Sequence, residues 1–534
     1  MARLKHFTNA LATGYIQVGV QFFYTFASIP LALHYLSTQQ FGLWLMATTI
    51  AGYLLLVDFG MTGSGTRILM DHKDDPASGA YGSVIKISVV VFLIQGTLIA
   101  VGGTILSFWL PQLMKISAQF PDPVEAHAAS RALFFLSAGQ CVIQGFFFPG
   151  RIFGNLAIAH QRYDLNNYVQ IGALIVQFAA LWLAFHAKIG IYSVLVATAA
   201  GFLFTFCGSW IVAARFGFFP PRGRWGKFNF KLFKEIFFLG SNVFLMAVGS
   251  QLINASQFLI INDKLGLTAA TVWAVATKPF IAAQQLVARI VTFSASPMSE
   301  MIVRGELERF VKRFRDLVII YVATAIFAGG CIALCNESFL QVWLKHRDIL
   351  PGIHVFWSSW DDLLLALWLV VTCVTTMHVG TITYTKKIGR MRYVYFCEGI
   401  VFVTVAFLAA RHFGISGVII AAIVANVLCS GVFGIRCTVK YFHIPAREVV
   451  IGWLDGPSKY IMLFSLILIG CKFFTEAWPP LSCLAVNAVI SAASGLWLLW
   501  RVALTAELRR ELWSIAARIP DRLKFFGGSG KKSN

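Results

Sequence analysis

Within the apolar stretch 269–296 stand Lys278, Gln285, Arg289 and Ser296, spaced 7, 4 and 7 residues apart. At 3.6 residues per turn those intervals return to one face of a helix, and Pro279 can kink it. A cation facing lipid costs on the order of 3 kcal/mol or more, so both basic groups need water or a partner. Acids inside apolar runs are few: Asp58 and Glu398 lie well inside, and Asp361 and Asp362 at an edge. Two readings stand, a structural ion pair or a wet, electropositive cavity that receives an anionic solute. The scarcity of acids favours the cavity.

Such a face must be carried by helices in a bilayer. The 534 residues are 58% hydrophobic and 13% charged, about half the charge of an ordinary soluble protein. Mean hydropathy is +0.72. Apolar runs long enough to cross a bilayer recur along the chain. Fourteen spans are expected: 11–35, 41–59, 84–110, 131–158, 167–187, 190–213, 237–261, 269–296, 317–335, 362–384, 394–411, 415–436, 459–474 and 481–500. The thirteenth is short enough to tilt or to sit partly in the interface. The fold class is all-α, a polytopic membrane protein.

The net charge of +20 is placed by topology. With both termini cytoplasmic, most of the 44 Lys and Arg fall on cytoplasmic segments, the positive-inside pattern. No segment interleaves basic and aromatic residues on a folded domain, so no nucleic-acid partner is expected. The ten cysteines sit mostly inside spans and imply neither disulfides nor metal. The N-terminal helix reads as a start-transfer segment rather than a removable signal.

Loops on the non-cytoplasmic side are short except around 111–130 and 336–361. Cytoplasmic segments are basic. RGELERFVKRFRDL sets Leu307, Phe310, Phe314 and Leu317 against Arg309, Lys312, Arg313 and Arg315, the pattern of an amphipathic helix on an anionic leaflet. The segment WGKFNFKLFKEIFF and the tail 501–534 look similar.

An internal repeat pairs LSTQQFGLW (36–44) with LGLTAATVW (265–273) at an offset of 229. In that register Gln21 falls on Ser250, Thr25 on Asn254 and Ser28 on Gln257. Gln17, Gln21, Tyr24 and Ser28 form one stripe on the first helix; Ser250, Asn254 and Gln257 follow the same spacing on the seventh, with Gln251 beside them. Two six-helix lobes, 1–213 and 214–440, related by an axis along the membrane normal would bring these stripes face to face across a central cleft. Residues 441–500 add two helices, and 501–534 form a cytoplasmic tail.

Other candidates are weaker. Glu398 could carry a coupling proton or ion, or make a helix–helix hydrogen bond. His34, His160 and His378 read as packing residues. Asp71, His72, Asp74 and Asp75 match no metal-ligand spacing. No nucleotide-binding loop, zinc motif or other cofactor motif is present.

The stretch FGLWLMATTIAGYLLLVDFGMTGSGTR (41–67) resembles the second-helix signature of the polysaccharide-transporter branch of the multidrug/oligosaccharidyl-lipid/polysaccharide flippase superfamily. Phe41, Gly42, Trp44, Asp58, Phe59, Gly60 and Arg67 carry the match. In the second half, Pro297 and Glu300 stand where that family has a helix-ending proline and polar residues. The resemblance implies two pseudo-symmetric six-helix bundles, alternating access and a cationic central cavity. It also implies movement of undecaprenyl-pyrophosphate-linked glycan from the cytoplasmic to the outer leaflet of a bacterial inner membrane. The implied partners are that lipid-linked oligosaccharide, anionic membrane lipid, and polysaccharide polymerase and assembly proteins.

Asp58 can accept from backbone amides that Gly60, Gly63 and Gly65 leave exposed, and can pair with Arg67. Those residues suit a cap or a gate at the cytoplasmic mouth. Two alternatives remain: a drug/cation antiporter of the same fold, which would place acids in the cleft, and a membrane glycan polymerase or ligase. The latter would draw on Lys345, His346, Arg347 and His354 in the long external loop.

Overall fold

The computed structural model describes residues 2–74, 79–344, 353–384 and 389–514. Asp75, Lys345, His346, Arg347 and the tail beyond 514 lie outside the described residues, as do the side chains of Ser296 and His354. No strand occurs among the described residues. The helices in chain order are α1 (Ala2–Tyr35), α2 (Thr38–Leu54), α3 (Met61–His72), α4 (Ala80–Leu113), α5 (Pro123–Phe147) and α6 (Arg151–Ala159). Then come α7 (Tyr163–His186), α8 (Ser193–Arg215), α9 (Phe230–Leu265), α10 (Leu267–Ala276), α11 (Lys278–Val303) and α12 (Leu307–Trp343). The last six are α13 (Ile353–Phe356), α14 (Ser359–Tyr384), α15 (Met391–Asn426), α16 (Val432–Phe442), α17 (Asp455–Thr475) and α18 (Pro480–Leu498).

Among the described residues, 13 helical stretches are long and apolar enough to cross a membrane. The difference from fourteen is one of joining: Met391–Phe442 takes in both expected spans 394–411 and 415–436, which meet in a turn at Gly414, where a methyl group on Gly417 would lie 2.6 Å from the Ala409 carbonyl. Gly414 bends it at φ 59°, ψ −140°, a conformation outside the helical region that glycine tolerates. The thirteenth expected span is longer than its apolar core: α17 has 21 residues, enough to cross. The eighth is divided at Thr277, and Pro279 lies in the first turn of α11, where its missing N–H leaves no bond unmade. Pro297 lies inside α11 and does not end it, a departure from the pattern expected there.

The chain packs as two compact units. The first comprises Met1–Val275, Trp343–Trp357 and Gly389–Ala421; the second comprises Ala276–Val342, Ser358–Ile388 and Ala422–Asn534. These units follow close packing, the expected lobes a sequence repeat: 214–275, 343–357 and 389–421, expected in the second lobe, belong to the first unit, and the residues after 440 belong to the second. In the first unit, Met61, Leu69, Ile87, Phe92, Phe148 and Leu156 anchor a core built by α3 to α6. In the second, Phe310, Phe314, Met377, Trp453 and Tyr460 do the same for α12, α14 and α17. Lipid is as apolar as these side chains, so close packing rather than expulsion from water holds such cores.

The amphipathic segment at 307–317 is the beginning of α12 and not a separate surface helix. Phe310 and Phe314 are fully buried, and two of the opposing cations meet acids of the helical residues 506–514. Lys312 donates to Glu507, and Arg313 grips Glu511 through both terminal nitrogens at 2.6 Å.

Helix starts echo the repeat. α2 begins at Thr38 and α10 at Leu267, 229 residues on. Ser37 and Gln40 cap the first start reciprocally, with Ser37 N donating to Gln40 Oε1 at 3.1 Å and Gln40 N to Ser37 Oγ at 3.2 Å. Gly266, at φ 90°, makes the second turn.

Candidate functional site

The two units carry different parts of the expected site. In the second unit, α11 turns Ala283, Val287 and Met298 into the core. Lys278, Gln285 and Arg289 lie on the opposite side of the helix, as their spacing requires. Gln285 is exposed, Lys278 and Arg289 are half-buried, and the neighbouring Ile281 and Leu286 are exposed as well. Neither cation forms an ion pair among the described residues. Two acids weighed as partners are engaged elsewhere: Asp362 accepts from Asn336 Nδ2 at 2.7 Å, and Asp361 from Ser358 N and Oγ at 2.8 Å each.

In the first unit, the break after α2 is built around Asp58. Residues Leu55–Asp58 form a 3-10 turn, and Phe59 (φ 48°) and Gly60 (φ 69°) are both left-handed before α3 begins. Asp58 Oδ1 accepts from Thr62 N at 3.3 Å and from the Thr62 hydroxyl. Its backbone carbonyl accepts from Gln95 Nε2 of α4 at 2.9 Å. The Phe59 ring packs 4.7 Å from that of Phe244 on α9. The cap is therefore the Thr62 amide and hydroxyl, not amides freed by the glycines. Arg67 is exposed and joins no ion pair among the described residues, so the expected Asp58–Arg67 pair is not formed.

A cation within electrostatic reach of Asp58 is Arg151. The expected span 131–158 breaks at Phe148–Gly150, and Arg151 opens α6 just beyond, its guanidinium 4.2 Å from the Phe148 ring centre. Reading FFFPGRIFGN as part of one continuous helix hides this residue. A Pro-Gly pair followed by a cation inside an apolar run is the signal that reveals it.

The polar stripes are largely tied to their own helices. On α1, Thr25 Oγ1 donates to Gln21 O at 2.9 Å and Ser28 Oγ to Thr25 O at 3.3 Å. Tyr24 meets Phe178 edge-on at 6.4 Å, and Ser28 is buried. On α9, Asn254 Nδ2 donates to Ser250 O at 3.0 Å and to Ser250 Oγ at 3.2 Å, while Gln257 is buried. No hydrogen bond joins the two stripes among the described residues. Glu398 is buried beside the crossing of α9 and α15. There, a methyl group on Gly249 would lie 2.1 Å from the Tyr395 carbonyl, so only glycine lets the backbones touch. No group of His, Cys, Asp and Glu able to hold a metal occurs among the described residues.

The chain matches no protein-family model and no curated protein in sequence. Its structure is similar to that of the lipid II flippase MurJ in an inward closed conformation, with TM-score 0.64 and 12% identity over 92% of this chain and 97% of the other. It is also similar to an inward-facing multidrug resistance MATE family transporter of the MOP superfamily, with TM-score 0.59 and 12% identity over 79% and 94%. A third likeness, TM-score 0.51 and 14% identity over 83% and 97%, is to a MOP superfamily transporter from Pyrococcus furiosus described as having a binding pocket of reverse polarity. At such identities the likeness is one of fold: this chain has the all-helical, multi-span architecture of the MOP superfamily transporters.

Proposed function

We propose that the protein is a flippase that moves undecaprenyl-pyrophosphate-linked oligosaccharide units across a bacterial inner membrane for polysaccharide biosynthesis, by alternating access. The carrying observation is the face of α11 on which Lys278 and Arg289 stand without an acidic partner among the described residues. Unpaired cations at membrane depth are costly unless a solvated anion is to be met there, and a pyrophosphate or acidic sugar supplies one. Of the polar stripes, Gln21, Tyr24, Thr25, Ser250 and Asn254 keep accessible groups suited to sugar hydroxyls, while Ser28 and Gln257 are buried. The likeness in fold to a lipid II flippase supports the same reading. A drug/cation antiporter of this fold would place acids where α11 carries Lys and Arg.

The test is reconstitution in vesicles with a fluorescent undecaprenyl-pyrophosphate-linked sugar, its leaflet read by external quenching. The Lys278→Ala/Arg289→Ala double variant should insert normally and lose translocation. Undiminished translocation by that variant overturns the assignment.

A further inference from the structure

Beside the Asp58 break, the first unit encloses a cavity of about 320 Å³ between α5, α6, α7 and α8, with Thr62 of α3 at its edge. That volume is at the lower end for small-molecule sites. Arg151 is its one charged lining residue, and no carboxylate lines it. Four carboxamides share the lining with Arg151: Gln144, Asn155, Asn166 and Gln170. Among the described residues none of the four makes a side-chain hydrogen bond, and Gln144 Oε1 is buried without a partner. Five polar side chains of a membrane-spanning unit thus converge on one space with their bonds unmade. Gln144 Oε1 is the buried atom among them, and an atom buried in that condition costs free energy until a ligand or water completes it.

We propose that this cavity is a second ligand site, and that its ligand is a phosphate-bearing polyol, the chemistry shared by a free sugar phosphate and the phosphoglycerol headgroup of a lipid. A guanidinium offers a planar fork that fits two phosphate oxygens, and carboxamides both donate to and accept from hydroxyls. Phe202 and Phe206 supply apolar walls for carbon-bound hydrogens. Asp58 lies outside the lining and is held by Thr62. It lies within electrostatic reach of Arg151 but makes no hydrogen bond or ion pair with it among the described residues, which leaves the guanidinium N–H groups to a ligand. Stacking on Phe148 fixes the guanidinium plane. The site stands on the first unit alone and needs neither Lys278 nor Arg289.

Thermal unfolding of the purified full chain tests it in two arms, since a ligand of the folded state raises the midpoint by mass action. In detergent, glucose 1-phosphate is compared with glucose. In nanodiscs, phosphatidylglycerol is compared with phosphatidylcholine. A rise with glucose 1-phosphate assigns a soluble ligand, and a rise with phosphatidylglycerol alone assigns a lipid headgroup. Arg151→Gln, made in the Lys278→Ala/Arg289→Ala background so that those cations cannot contribute, should weaken the supporting response by about tenfold or more in affinity, the loss expected for charge-assisted hydrogen bonds. Gly154→Ala guards against misfolding: its added methyl would sit 3.4 Å from Asn166 Oδ1 and 4.0 Å from Ser209 Oγ, ordinary contacts that narrow the cavity without a clash. It should fold and respond more weakly. Absence of any rise in both arms, or a rise unchanged in Arg151→Gln and in Gly154→Ala, overturns the proposal.

Discussion

Gly42 and Thr271, 229 residues apart, meet where α2 and α10 cross: a methyl group on Gly42 would lie 2.5 Å from Thr271 Oγ1 and 2.7 Å from Leu267 Cγ. They are also matched positions of the internal repeat. Contact between a residue and its own counterpart is what a two-fold relation requires of positions on its axis.

Gly42→Val should force α2 and α10 apart and destabilise the protein by about 1–3 kcal/mol, the usual cost of overpacking. Gly63→Ala is the control, because nothing lies within 4 Å of the added methyl. The unfolding midpoint in detergent checks both. A Gly42→Val protein as stable as the control would mean that the crossing yields freely.

Asp58→Ala should cost about 1 kcal/mol, as loss of a helix cap does, with the first effect at α3. Asp58→Asn keeps an oxygen for Thr62 and should leave stability nearly unchanged. It removes the charge that faces Arg151, however, and should lower translocation. Normal stability together with normal translocation in Asp58→Asn would reduce the carboxylate to a cap.

Acid and salt should release residues 506–514 from α12. Hydrogen bonds from Arg313 to Glu511 and from Lys312 to Glu507 hold both carboxyls below the ordinary glutamate range. A lowered folded-state value means the docking is fully present above the usual glutamate pKa of about 4.3 and is lost as pH falls through the lowered values. Leu504 and Leu508 pack against Ile319 and retain some adhesion. Glu507→Gln/Glu511→Gln should therefore speed hydrogen exchange across 506–514 at neutral pH by a few-fold, a modest effect because exposed ion pairs are screened by water and salt. Unchanged exchange would assign the docking to the leucines.

Glu398→Gln separates two roles at the α9–α15 crossing. If the carboxylate carries a coupling ion, translocation should lose its dependence on an imposed ion gradient while the unfolding midpoint stays within a degree or two. A midpoint lowered by several degrees with gradient dependence retained would make it a hydrogen-bonding residue.

Sequence by itself determined the bilayer as solvent and the helical class, because both follow from hydropathy and a fixed 3.6-residue period. That period carries across any tertiary arrangement. It also marked Asp58 as the end of a helix, since a carboxylate followed by glycines cannot continue an apolar span. Which groups meet was decided only in three dimensions. Arg151 rather than Arg67 lies within reach of Asp58, and Glu507 and Glu511 rather than lipid meet Lys312 and Arg313. The carboxamides that share a lining with Arg151 come from α5, α6 and α7, up to 26 residues apart between Gln144 and Gln170. Nothing in a single helix's spacing sets such meetings. They depend on how neighbouring helices rotate and cross, and close contacts such as Gly42 against Thr271 fix that geometry.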